Sequence, residues 1–128
     1  SSDWSSDVCS SDLKTFIADD ALICGSDPSE FWNKEEVLEL WKQMLGETSP
    51  EMDYLGDRTV KVAPDGNSAI VVEQFYGNYT PDIPWRNVFS LIKLENRWLI
   101  SFMSTSLIPE NEYLSVINEA VAGEEDEE

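Results

Sequence analysis

The chain has 128 residues, 41% of them hydrophobic and 11% aromatic, which suffices for one buried core and leaves little room for a second domain. With 26 acidic residues against 8 basic ones and a net charge of -18, it repels phosphate backbones, which argues against nucleic acid as a partner. The absence of histidine removes every mechanism that needs an imidazole base; Cys9 and Cys24 make no disulfide framework, and no stretch approaches the roughly 20 consecutive apolar residues of a membrane-spanning helix.

Residues 1 to 13 repeat Ser-Ser-Asp three times and have neither helical nor strand periodicity. From Trp4 to Asp12 the peptide back-translates to a stretch that resembles the constant part of a short-read sequencing adapter. The segment is therefore read as a non-native or disordered leader outside the fold. On this reading the natural chain would begin before Lys14, and a first helix or signal peptide could be missing. The expected organisation is a leader at 1–13, one domain at 14–122 and an acidic tail at 123–128.

Asp19-Asp20 followed by Ala21-Leu22-Ile23-Cys24-Gly25 predicts a short strand closed by the turn former Asp27-Pro28. A helix follows from Lys34 to Leu45. Asn33 and Glu36 have capping-box spacing, Trp32 and Val37 occupy the staple positions, and Val37, Leu40, Trp41 and Met44 form one apolar face. Gly46 supplies the stop. Beyond Pro50 the pattern turns to β. Tyr54 to Val62 and Ser68 to Tyr79 flank the turn Pro64-Asp65-Gly66-Asn67, and Asn87 to Leu94 and Arg97 to Leu107 flank Glu95-Asn96, so two hairpins are expected. Pro81 and Pro84 place the loop 80–85 outside the ladder. Pro109 to Ala122 predicts a closing helix with Tyr113, Leu114, Ile117 and Val121 on one side and Gly123 at its end. The five acids Glu124 to Glu128 then form a solvated tail.

Three stretches carry a family likeness: Asp19-Asp20-Ala21-Leu22-Ile23-Cys24-Gly25-Ser26-Asp27-Pro28, then Phe31-Trp32-Asn33-Lys34-Glu35-Glu36-Val37, and Asn96-Arg97-Trp98-Leu99-Ile100-Ser101 followed by Ser104. With the element order, they make residues 14 to 110 resemble the SnoaL-like branch of the nuclear transport factor 2-like superfamily. The resemblance implies an α+β fold, a curved antiparallel sheet packed against helices as a cone whose mouth holds a ligand pocket. It also implies an N-terminal roofing helix, which on the leader reading is expected to be truncated. The same fold hosts isomerases, cyclases, dehydratases and association domains, so function must be argued from the site. In isomerase-like members the base position falls on Gly25 and the acidic donor near Ser90, and neither residue can do that work. The last strand, where cyclase-like members keep an acid, offers Ser101, Ser104, Thr105 and Ser106, and the histidine of dehydratase-like members is missing.

Among the acids, Glu73 in the strand Val71 to Phe75 is the catalytic candidate, a half-buried base or else an outward glutamate. Asp27 reads as a turn cap, and Asp57 beside Arg58 as a surface pair. Arg86, at the start of a strand, could clamp a ligand carboxylate. The expected pocket walls are Trp41, Tyr54, Phe75, Phe89 and Met103, with Glu73 or Arg86 as polar groups, a lining suited to a planar apolar small molecule. No metal ligand set and no cofactor motif is found. Strands 68–79 and 97–107 are apolar on both faces, which predicts a homodimer through the uncovered side of the sheet. The expected function is a small-molecule-binding, self-associating domain without a recognisable acid/base set, expected in the cytoplasm. Its alternatives are an isomerase, cyclase or lyase acting on an apolar carbonyl compound, and a pure association module.

Overall fold

The first strand runs from Ile17 to Cys24 (β1) because its alternate residues Ala21 and Ile23 have a core to enter, and both are buried there. This is a computed structural model in which residues 16–47 and 52–126 are described, with side chains for 16–44 and 52–124; the leader expected at 1–13 lies outside them. A tight turn returns β1 into the short strand β2 (Phe31–Trp32), and helix α1 (Lys34–Glu47) follows. Then come β3 (Met52–Tyr54), β4 (Thr59–Val62), β5 (Ser68–Gly77), β6 (Trp85–Leu94) and β7 (Arg97–Leu107). The chain ends in a 3-10 turn at Asn111–Tyr113 and helix α2 (Leu114–Asp126).

The strands form one curved, unclosed sheet in the order β2-β1-β7-β6-β5-β3, with β4 also on β5. All pairs are antiparallel except β1 with β7. That parallel contact joins the two ends of the sheet-forming chain, and only the long path through α1 and both hairpins can bring two strands together in that sense. The expected strand 54–62 is two strands. Gly56, at φ +72°, breaks it, so that β3 pairs with Phe75–Gly77 and β4 with Ala69–Val72 along one edge of β5. The β6–β7 turn is as read: Glu95 and Asn96 both take positive φ (50° and 65°), the two-residue turn whose twist matches its strands.

The capping box of α1 is formed. The Glu36 N–H donates to the Asn33 side-chain oxygen at 2.9 Å and the Asn33 N–H to the Glu36 carboxylate at 3.1 Å. Asn33→Ala is expected to cost about 1 kcal/mol, read as a lower midpoint in urea unfolding at an unchanged m-value. Val37 is fully buried, and Trp32, Leu38 and Trp41 pack against the core made by Ile17, Ala21, Ile23, Val71, Phe89 and Ile100. Met44 corrects the expected face, since it is 54% exposed. The helix meets the sheet at β1 and β2, near the sheet's edge, so its later turns run past the strands. It also continues one residue beyond Gly46.

Two further corrections concern the C-terminus. Gly123 does not end α2, which runs on to Asp126; among the described residues only Gly56 and Gly66 are glycines with positive φ, so position 123 keeps a helical backbone and makes no C-cap. Nor does α2 close the core. Tyr113, Leu114 and Val121 are each at least half exposed, and among the described residues α2 packs mainly against the 3-10 turn before it. The Ile108 N–H bonds to the Pro84 carbonyl at 2.8 Å, and beyond this point the chain leaves the sheet.

Candidate functional site

Strand register decides which side chains meet. Glu73 pairs with Asn87, and Asn87 with Thr105, so three polar residues on three adjacent strands form a row across the core face of the sheet. On either side of that row the same face carries Val71, Phe89 and Met103, then Phe75, Trp85 and Leu107. The row is thus a polar stripe between two apolar ones.

Glu73 and Asn87 are buried at 6% and 5% exposure, so each needs partners. They have them. Arg58, from the loop before β4, donates Nη2–H and Nε–H to one Glu73 oxygen at 2.9 and 3.1 Å. The Asn87 amide N–H donates to the other oxygen at 3.1 Å, and the Thr105 hydroxyl donates to the Asn87 carbonyl at 2.6 Å. Among the described residues no buried side-chain nitrogen or oxygen is left without a partner. The carboxylate is committed to three donors, and its charge is balanced by a guanidinium.

The other predicted site residues fall in several places. Phe75 and Phe89 are buried on the same face as Glu73, and Met103 is half-buried beside Phe89. Tyr54 is 46% exposed on edge strand β3, with its ring tilted against Phe75 at a centroid distance of 6.2 Å. Trp41 is half-buried on α1 against the core cluster. Arg86 is not brought to this group. It pairs with Gln74, one residue out of phase with Glu73, and so lies on the opposite face, where its Nε–H donates to the Gln74 side chain at 2.9 Å.

Sequence reasoning missed Arg58, Asn87 and Thr105. Arg58 is not the surface partner of Asp57; its guanidinium reaches Glu73. The available signal was period two within β5, β6 and β7, but that period cannot say which residue of one strand faces which of another. Asp27 is the turn cap expected, accepting from the Ser29 N–H at 2.9 Å and the Ser29 hydroxyl at 2.6 Å, and these bonds hold its carboxyl below the usual carboxylate range. Gly25, where an isomerase base would stand, has no room for one. A Cβ there would come within 2.8 Å of the Glu30 Cβ, and the Gly25 N–H is bonded to the Glu30 carbonyl. A separate open depression of about 280 Å³ lies by the start of β1, lined by Ala18, Asp19, Lys34, Arg97 and Leu99 among others, and includes none of the predicted site residues. The Asp19–Lys34 ion pair, at 3.0 Å, forms part of its wall.

The chain matches the family described as SnoaL-like domain over residues 4–110, a match that begins inside the leader set aside above. No curated protein matches it. Among solved structures it is similar to a nuclear transport factor 2-like protein from Cytophaga hutchinsonii, at a TM-score of 0.61 and 16% identity, covering 77% of this chain and 82% of that one. A candidate calcium/calmodulin-dependent protein kinase II association domain from Xanthomonas campestris aligns at a TM-score of 0.59 and 23% identity, covering 79% and 75%. A candidate ketosteroid isomerase from Parabacteroides distasonis aligns at 0.57 and 17%, covering 78% and 76%. At these identities the likeness is one of fold.

Proposed function

Because the chain belongs to the SnoaL-like domain family, we propose that it binds an apolar small molecule on the core face of its sheet, performs no acid/base chemistry there, and self-associates through the opposite face. The observation that carries the non-catalytic part is the engagement of Glu73. A general base must offer a free lone pair to the proton it takes. Here Arg58 fills both lone pairs of one oxygen and Asn87 takes one on the other, and at 6% exposure a substrate would have to reach the single remaining lone pair through the packed core face. The Thr105 hydroxyl donates to Asn87 and its oxygen can still accept, so it orients a ligand's one polar group, while Tyr54, Phe75 and Met103 offer apolar surface.

The test is an apolar β,γ-unsaturated ketone, with binding followed by the shift in melting temperature and conjugation followed by absorbance. The expected result is stabilisation without turnover, or at most a rate enhancement far below the roughly 10⁶-fold that marks enzymes. Turnover that vanishes in Glu73→Gln would replace this reading with the isomerase, cyclase or lyase. Turnover that survives the change would place the chemistry elsewhere. Neither binding nor turnover with this or other apolar probes would leave the association module.

A further inference from the structure

Charge is divided unequally over this fold. Strands β4 to β7 contain a single acid, Glu73, although the chain has 26 acidic residues. Glu73 points to the core face. The opposite face of those strands therefore carries no acid, while Lys61 and Arg86 stand exposed on it, opposite Ile70 and Gln74. Neither cation forms an ion pair among the described residues. Around them Ile70, Val72, Val88 and Phe102 continue the face, joined by Leu22 across the β1–β7 contact, and Ile70 and Leu22 are nearly half exposed. This is an apolar surface that carries two cations and is bordered by Asp53 on β3, with no element packed over it to any extent among the described residues.

Helix α2 has the complementary character. From Trp98 to the C-terminus there is no lysine or arginine. Leu114, Ile117 and Val121 recur at helical spacing as one stripe, with Leu114 and Val121 at least half exposed and Ile117 partly covered. Glu124, three residues beyond Val121, flanks the stripe at one end, and Glu110 and Glu112 stand before it at the other. Glu112 shares a hydrogen bond with Glu110 and repels it, which holds the Glu110 carboxyl above its usual range. A helix of 13 residues is marginal in water unless its apolar stripe is buried. This one follows the point, at Ile108, where the chain leaves the sheet, and among the described residues its main packing is against the turn before it.

We infer that α2 of a second copy covers the Lys61–Arg86 face of the sheet, with the helix exchanged reciprocally in a two-fold dimer. The inference rests on the self-association reading above and names what makes the contact. Exchange buries the Leu114–Ile117–Val121 stripe on Ile70, Val72, Val88 and Phe102, and it brings Glu110 and Glu124 toward the cations of the partner's sheet. A bare sheet-on-sheet dimer would do neither, since it would bring two cation-bearing faces together and leave α2 uncovered.

Two charge-reversed full-length chains test this by sedimentation velocity. The face variant carries Lys61→Glu with Arg86→Glu, and the helix variant carries Glu110→Lys with Glu124→Lys. The wild type is expected to be dimeric at about 50 μM, and each variant alone to dissociate at least about tenfold more readily. An equal mixture of the two is expected to return to wild-type dimerisation, because each acidic helix then meets a cationic face and each cationic helix an acidic one. A wild type that stays monomeric would overturn self-association itself. A dimeric wild type with unaffected variants, or variants that weaken but do not rescue each other, would overturn helix exchange alone and leave a sheet-mediated dimer standing.

Discussion

Glu73→Ala is expected to destabilise the fold by about 3 kcal/mol, the lower end of the range for breaking a buried ion pair by removing one partner. The reason is what the change leaves behind. Arg58 would keep a charge on a side chain only 26% exposed, and the Asn87 amide would lose its acceptor while staying buried. The lower end applies because a quarter-exposed guanidinium can recover part of its hydration. Removing both charges at once, Glu73→Leu with Arg58→Met, should recover most of the loss, since neither charge then has to be held out of water. Urea unfolding of the two single variants and the pair measures the coupling directly. A Glu73→Ala cost below about 1 kcal/mol would mean that the carboxylate is solvated and the row is not a buried network, and the orienting role proposed for it would fall with it.

Phe89→Ala is expected to cost about 3–5 kcal/mol, the range for truncating a buried aromatic. Phe89 is 6% exposed, sits in the middle strand of three, and shares the core cluster with Val71, Ile100 and Val37. Trp41→Ala should cost less, although tryptophan is the larger residue, because Trp41 packs against that cluster from α1 and stays half-buried. Chemical denaturation of the two variants side by side checks the order. The reverse order would show that the core is centred under α1 and that Phe89 faces an open pocket.

Both expectations depend on contacts that no local pattern reveals. The sequence by itself determined the elements whose causes lie within a few residues. Asn33 and Glu36 specified the start of α1, Glu95-Asn96 specified the β6–β7 turn, the hydrophobic order specified an α+β chain, and three local stretches carried the resemblance to the SnoaL-like family. Hydrogen bonds and turn sterics at that range act whatever the rest of the chain does. The tertiary structure decided the rest. The partners of Glu73 lie 14 and 15 residues away, and Thr105 is 18 from Asn87, so the polar row exists only once the register of β5, β6 and β7 is set. One residue of slip in β6 would have put Arg86 beside Glu73 and turned Asn87 to the other face, and nothing within either strand forbids it. The exposure of Met44 and of α2 has the same origin: an apolar stripe on a helix states that something will cover it, but where the sheet ends, and so what is left to do the covering, is settled by how the strands pair.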